Sequence, residues 1–295
     1  TGDRAMGPGI IDMKGGLVTC LHAMETLLAE GFDDFGTITI LYDTDEERGN
    51  PSSKGLIEEM GEFAAAALIL EPARADGSVV SARMGSAIGT LSIEGIAAHA
   101  GVDPEKGRSA VEEVARQIVQ AYGLVRPGGT LNVTGLSGGE RPHIVADKAD
   151  CTIEIRAWQQ ETLDAMRNEL AKNIQTPNVE GTRLIFTEGG GRPAMETGEE
   201  TGTLLQLAEK IASDAGVSFS HTQTGGGSDG NYLAPMRVPV LDGLGPVGGG
   251  LHTVEEYIEL SSLVPRTAML AGIIERFSSG IHPDSPDKTE KQMFL

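Results

Sequence analysis

Acidic and imidazole side chains stand at four places in this 295-residue chain where a strand ends or a glycine-rich loop begins. They are Asp12 in Ile-Ile-Asp-Met-Lys-Gly-Gly, the Glu46-Glu47 pair, Glu71, and His252 after Gly248-Gly249-Gly250-Leu251. Adjacent residues leaving a strand point in different directions, so one glutamate of a pair can bind a metal while its neighbour addresses the water on it. Carboxylates with an imidazole suit zinc, and about three ligands with an open position make a catalytic rather than a structural site. Zinc lowers the pKa of its water towards ~7, and a glutamate base can take the remaining proton for attack on a carbonyl. Each residue alone also has an ordinary reading. A strand-end acid often caps a helix or faces solvent, Glu46 and Glu47 belong to four acids among residues 43–47, and His252 alone is a loop histidine. Calcium fits less well, because its sites collect oxygens from a compact loop and leave His252 without a purpose.

The elements that must position these groups alternate along the chain. Apolar spacing predicts a helix over 17–29 that stops at Gly31, then a β-branched strand over 37–42. Ser52 or Ser53 caps a helix ending at Gly61, and an apolar strand over 66–70 runs into Glu71-Pro72. Such alternation implies a sheet with parallel neighbours, whose ligands gather at the carboxyl ends of strands. From Ser81 the pattern changes to strand 87–93, helix 104–122, strands 130–134 and 148–157, helix 160–174 and strand 182–187. That is the β-α-β-β-α-β order of a ferredoxin-like domain. Gly189-Gly190-Gly191 reads as a hinge after it. The alternation then resumes with helix 201–215, strands 218–223 and 238–242, and a closing helix over 257–277 kinked at Pro265. The polar tail, 278–295, reads as poorly ordered. The expected fold class is therefore α/β. A catalytic domain with a mostly parallel mixed sheet and flanking helices (1–81 and 193–295) is interrupted by an inserted α+β domain (82–192).

Composition narrows the function classes. Lys and Arg total 23 against 43 Asp and Glu, a formal net charge of −20, which repels phosphate backbones and anionic lipid and so argues against nucleic-acid or membrane partners. No apolar run reaches the roughly 18 residues of a membrane span. Residues 1–9 carry no signal-peptide pattern, which favours the cytoplasm. Cys20 and Cys151 each sit in an apolar segment as a small buried hydrophobe would.

Beyond single residues, an ordered set of strings carries a resemblance: Asp12-Met13-Lys14-Gly15-Gly16, Asp45-Glu46-Glu47-Arg48-Gly49, Leu70-Glu71-Pro72, Ala98-His99-Ala100-Gly101, Gly225-Gly226-Gly227-Ser228-Asp229-Gly230, and the downstream His252. From about Gly7 to Phe277 the chain resembles the di-zinc aminoacylase/carboxypeptidase metallopeptidases. That group includes acetylornithine deacetylase, succinyl-diaminopimelate desuccinylase and, nearest to this chain, the bacterial glutamate carboxypeptidases. The resemblance implies that Asp12 bridges two zinc ions, Glu47 and His252 complete one site, and Glu71 serves the other. Glu46 matches the general base. His99 resembles the histidine that enters a partner subunit's active site to stabilise the tetrahedral oxyanion, which makes residues 82–192 a lid and homodimer interface. Arg192 falls where those carboxypeptidases hold the substrate's free carboxylate, a task suited to a guanidinium fork. Arg156, Gly226 and Ser228 match further substrate contacts, although either arginine could instead be an ordinary salt-bridge residue, an even choice for Arg156. The implied substrate is a small molecule or peptide with a free carboxylate, cleaved by a metal-activated water at the amide of an N-acyl amino acid or C-terminal glutamate. N-acyl amino acid deacylation is the close alternative.

Two departures stand out. The family carries a His-x-Asp motif well before the bridging aspartate, and none of the eleven residues ahead of Asp12 is histidine. The sequence therefore reads as an N-terminally incomplete enzyme, or as a binding relative without competent metal chemistry. His143, thirteen residues before Arg156, stands where relatives usually have asparagine. It can still donate a hydrogen bond to substrate, but with a charge that varies around neutral pH. With Asp12, Glu47 and His252 nearly complete and Asp12 with Glu71 short of a ligand, metal analysis of the purified chain should return nearer one tightly held zinc than two.

Overall fold

The computed structural model describes residues 2–215, 218–279 and 292–295. It divides into two compact units, Thr1–Arg83 with Met195–Leu295, and Met84–Ala194. The first unit opens with β1 (Arg4–Met6), an irregular turn at Ile10–Lys14, α1 (Gly15–Ala29), β2 (Thr37–Thr39), α2 (Lys54–Gly61), β3 (Ala64–Leu68) and β4 (Val79–Arg83). Helix α1 buries Cys20, Ala23 and Leu27, one face of a 3.6-residue repeat. Its paired glycines have a steric reason. A Cβ on Gly16 would lie 2.2 Å from the Leu70 carbonyl oxygen, and one on Gly15 would lie 2.6 Å from the Pro246 ring. Only glycine lets the start of α1 lie against the chain that leaves β3 towards Glu71. Strand β3 itself is four alanines and a leucine, poor strand formers made into a strand by burial, since Ala66, Ala67 and Leu68 are fully inaccessible.

The second unit comprises β5 (Gly85–Glu94), α3 (Ala110–Tyr122), β6 (Gly129–Gly138), β7 (Lys148–Ala157), α4 (Gln160–Asn173) and β8 (Arg183–Arg192). Its sheet is antiparallel in the order β6-β7-β5-β8. Ala149, Cys151, Ile153, Ile155 and Ala157 point into its core from alternate positions of β7. Helix α3 is capped by Ser109, whose hydroxyl accepts from the Glu112 amide at 3.1 Å.

The chain returns to the first unit with α5 (Glu199–Asp214), β9 (His221–Thr224), α6 (Gly230–Leu233), β10 (Val240–Leu241), β11 (Gly248–Gly249), β12 (Tyr257–Glu259), α7 (Leu260–Ser278) and β13 (Gln292–Phe294). Its main sheet is parallel throughout, in the order β10-β3-β13-β2. All four carboxyl ends therefore share one edge, and Glu46-Glu47, Glu71 and Asp242 follow β2, β3 and β10 there. Helices α1, α5 and α7 cover the sheet through a core that includes Leu68, Leu204, Ala208, Leu270 and Ile274. Strands β4 and β9 form a second parallel pair, and β1-β12-β11 a small antiparallel sheet.

Besides elements whose ends differ by several residues, such as the helix expected over 104–122 that starts at Ala110 and the strand expected over 37–42 that ends at Thr39, three expectations need correction. Gly189-Gly190-Gly191 is not a hinge but part of β8, with Gly191 opposite Ala87. The closing helix starts only at Leu260, because Tyr257–Glu259 pairs with β1 and β11. In the tail expected to lack order, residues 280–291 lie outside the described residues, but Gln292–Phe294 is a strand between β2 and β3, and Met293 and Leu295 are buried. Among the described residues no helix is long and apolar enough to cross a membrane.

The contact at Gly16 gives a direct check. Gly16→Ala should lower unfolding free energy by about 1–3 kcal/mol or prevent folding, since the obstacle is backbone rather than a movable side chain. Gly202→Ala in α5, where no atom lies within 4 Å of the added carbon, should raise it by about 0.5–1 kcal/mol in the same urea titration.

Candidate metal centre

The loop after β2 contains the four acids of residues 43–47, and hydrogen bonding divides them into two pairs. Asp43 accepts from Asn50 Nδ2 at 2.7 Å, and Asp45 accepts from the Ser52 amide at 2.6 Å and from the Ser53 hydroxyl. Those Ser53 and Ser52 hydrogen bonds hold the Asp45 carboxyl below its ordinary pKa. Asn50 is buried with φ 56°, a left-handed conformation that asparagine tolerates better than most residues. Two acids thus build the loop and two remain for chemistry. Glu46 and Glu47 lie in a single tight turn, Glu46–Arg48, rather than on the strand itself.

His252 sits at the tip of the hairpin joining β11 to β12. Its φ of 61° and that of Gly250, 73°, turn the chain back, and the Thr253 amide closes on the Gly250 carbonyl at 3.1 Å. A non-glycine residue in this region costs energy that a functional position can justify. The turn brings His252 Nε2 to 3.1 Å from Asp12 Oδ2 and 3.3 Å from Glu47 Oε1. Residues separated by up to 240 positions therefore meet, and donor atoms of all three lie within 4.8 Å of one another. This is the one group of three or more such donors among the described residues.

Asp12 also borders a cavity of about 250 Å³ in the first unit, shared with Tyr42, Glu46, Glu71, Asp229 and Leu295. Glu46 and Glu71 line that cavity, whereas the Glu47 and His252 side chains are exposed. Burial pushes the Glu71 carboxyl well above its ordinary pKa, nearby Asp242, Asp12 and Glu46 add to the shift, and Arg83 opposes it. Beneath the glycine-rich loop, Arg83 donates to Asp242 through Nε at 2.7 Å and Nη2 at 2.9 Å, and through Nη1 to the carbonyls of Gly226 and Gly227. Ser228 is inaccessible and its hydroxyl donates to Asp242, so it fastens the loop rather than facing a ligand. The Gly226 carbonyl is likewise engaged by Arg83. Arg266 of α7 supports the neighbouring segment by donating to the carbonyls of Gly77, Gly243 and Gly245.

The remaining expected residues belong to the second unit. His99 and His143 have ring centroids 6.0 Å apart, and the Ala100 amide donates to the His143 carbonyl at 2.9 Å. The Gly101 amide donates to His99 Nδ1 at 3.1 Å, which assigns the neutral ring's proton to Nε2 and makes that edge a donor. Arg156 is paired with Glu154 at 2.7 Å on the same face of β7, and Arg192 ends β8 with its amide on the Ser86 hydroxyl at 3.3 Å. Sequence reasoning missed Asp229, Arg83, Asp242 and Glu256. Only Asp229 carried a signal, as a member of the glycine-rich string.

Residues 1–276 match the sequence pattern of peptidase family M20/M25/M40. The chain belongs to that family. It is 33% identical over 284 residues to carboxypeptidase G2 of Pseudomonas sp. (strain RS-16), across 95% of this chain and 68% of that protein. It is 24% identical to succinyl-diaminopimelate desuccinylase of Nitrosospira multiformis, across 90% of this chain and 74% of that enzyme. Among solved structures it resembles aminopeptidase PepT of Bacillus cereus, with TM-score 0.76 and 23% identity over 93% of this chain and 74% of that one. As an M20 peptidase the chain is a hydrolase of a metallopeptidase family. The donor set fits a metal ion: a tetrahedral zinc with bonds of about 2.0–2.1 Å spaces its ligand atoms about 3.3 Å apart, close to the separations around His252.

Protonation of His252 places a positive charge beside the same two carboxylates. The Glu47 charge raises the His252 pKa, slight burial opposes it, and the Asp12 hydrogen bond adds to the rise. A raised folded-state value means that the stabilisation is fully present below the unfolded value of about 6.5 and is lost as pH rises through the folded value. In chelator, the melting temperature of the unaltered chain should therefore exceed that of His252→Gln at pH 6, with the gap narrowing by pH 9.

Proposed function

We propose that this M20 peptidase hydrolyses the amide between an acyl group and an amino acid that keeps its carboxylate free, with C-terminal glutamate as the preferred leaving residue. The convergence of Asp12, Glu47 and His252 carries the reading, and 33% identity to carboxypeptidase G2 supports the substrate class. Those three residues would hold zinc, with Asp12 positioned to share a second ion with Glu71 across the cavity. Bound there, zinc supplies Lewis acidity to the scissile carbonyl and acidity to a water molecule.

The chain's own residues do the rest. Glu46 faces the cavity while its neighbour Glu47 is engaged with His252, so Glu46 takes the proton of the attacking water and returns it to the leaving amine. The Nε2–H of His99, contributed by the partner in a homodimer formed through the second unit, donates to the developing oxyanion. Arg192 receives the substrate carboxylate, and His143, beside His99, donates to the acyl side. Arg156 aligns through its pair with Glu154. The second unit acts as lid.

Relatives that are succinyl-diaminopimelate desuccinylases favour one further reading, deacylation of other N-acyl amino acids. Assays of the zinc-loaded chain on N-acyl glutamates of the folate type, N-succinyl amino acids and N-acetyl amino acids separate the two. Glu46→Gln should lower kcat by roughly 10²–10⁴-fold while zinc content is kept. Turnover unaffected by that substitution, or tight ligand binding with no hydrolysis of any of the three classes, would falsify the proposal.

A further inference from the structure

The segment that carries Asp12 leaves its amides without regular partners. Inside Ile10–Lys14, Asp12 (φ −119°, ψ 85°) and Met13 (φ −135°, ψ 40°) depart from helical geometry. Amides in such a stretch cannot rely on the helical ladder and must find acceptors elsewhere. One side chain supplies three. Glu256 Oε2 accepts from the Gly9 amide at 2.6 Å, and Oε1 accepts from the Ile11 amide at 2.9 Å and the Asp12 amide at 3.0 Å. Glu256 is only 5% exposed. Its own carbonyl accepts from the Gly7 amide at 3.2 Å, and the following residue, Tyr257, pairs with Met6.

Glu256 is also the foot of the hairpin whose tip is His252, four residues earlier. The intervening residues are braced by Glu255 N–H on Thr253 Oγ1 and Thr253 N–H on the Gly250 carbonyl. A single buried carboxylate thus joins the two loops whose side chains meet as Asp12 and His252. We infer that Glu256 is a positioning residue for the metal centre, setting the separation of Asp12 and His252 before any metal arrives. This rests on the reading of those two residues as metal ligands.

The chemistry explains why a carboxylate stands there. Two oxygens offer about four acceptor sites and no donor, enough for three amides. Glutamine has one acceptor oxygen, and its NH₂ would face an amide N–H. Burial pushes the Glu256 pKa up, but the amides of Asp12, Gly9 and Ile11 outweigh it and hold the group ionised. Outer partners of metal ligands typically govern metal affinity by 10–100-fold.

The test uses the whole chain with zinc as the probe. Metal-free Glu256→Gln should exchange the Gly9, Ile11 and Asp12 amide hydrogens roughly tenfold faster or more, with the rest of the exchange pattern kept. Chelator competition should show its zinc affinity reduced by about 10–100-fold. Glu256→Asp, which keeps the charge on a shorter stem, should recover part of that affinity, and it decides the matter if Glu256→Gln does not fold. Faster exchange with unchanged zinc affinity would mean that the clamp serves the fold alone and overturns the inference, as does unchanged exchange. A chain that binds zinc but hydrolyses none of the candidate substrates sinks the proposed function and leaves this inference to be decided by affinity. A chain that takes up no zinc overturns both.

Discussion

Like charge gathered at one edge of a sheet is the constraint around which the first unit is organised. The carboxyl ends of β2, β3 and β10 deliver Glu46, Glu47, Glu71 and Asp242, and the loop before α1 adds Asp12. Carboxylates this close repel one another, and burial makes each charge costlier still. The raised pKa of Glu71 is the visible consequence. Arg83 relieves part of the repulsion on the buried side, and His252 does so on the exposed side when it is protonated. A divalent cation between them would relieve more, which is why such a cluster reads as a site prepared for one.

Crowding of that kind persists only where the backbone is held more strongly than the charges push. Here each acidic segment has its own anchor. The loop of residues 43–53 is tied by Asn50, Ser52 and Ser53 to two of its own acids. The glycine-rich loop hangs from Arg83 and Asp242. The Asp12 segment is received by the Glu256 carboxylate, and the start of α1 lies against the end of β3 with no room for a side chain. Buried polar networks of this sort are costly when incomplete and specifying when complete. These anchors hold backbone, and the Glu46 and Glu47 carboxylates are left to the cavity and to His252 respectively.

Much of the architecture was legible because local pattern and final environment agreed. The strand at 148–157 alternates buried and solvent-facing residues, and the helix at 160–174 follows its apolar spacing to within one residue. Agreement failed where pairing rather than periodicity decides. Tyr257, Ile258 and Glu259 continue the apolar spacing of α7 and read as its first turn, but two neighbouring strands claim their backbone groups. Gln292–Phe294 follows a polar, proline-punctuated stretch, and only the space between β2 and β3 makes it a strand. Gly189 to Gly191 have the flexibility of a hinge as free peptide, but within β8 Gly191 is paired opposite Ala87 and the other two form an irregular step of the same strand.

Residue type and hydrophobic period are local properties, so the order of amino acids already showed which side chains were available for chemistry and on which kinds of element they ride. Asp12, the Glu46-Glu47 pair, Glu71 and His252 could be singled out in this way, and so could the alternation that places acids at strand ends. Tertiary structure alone decided that Asp12, Glu47 and His252 share one small volume, that Ser228 turns inward to Asp242, and that Glu256 holds the loop of Asp12. Those facts depend on distances between residues up to about 245 positions apart. No local pattern encodes such distances, because they are set by how helices and strands pack once the whole core has closed.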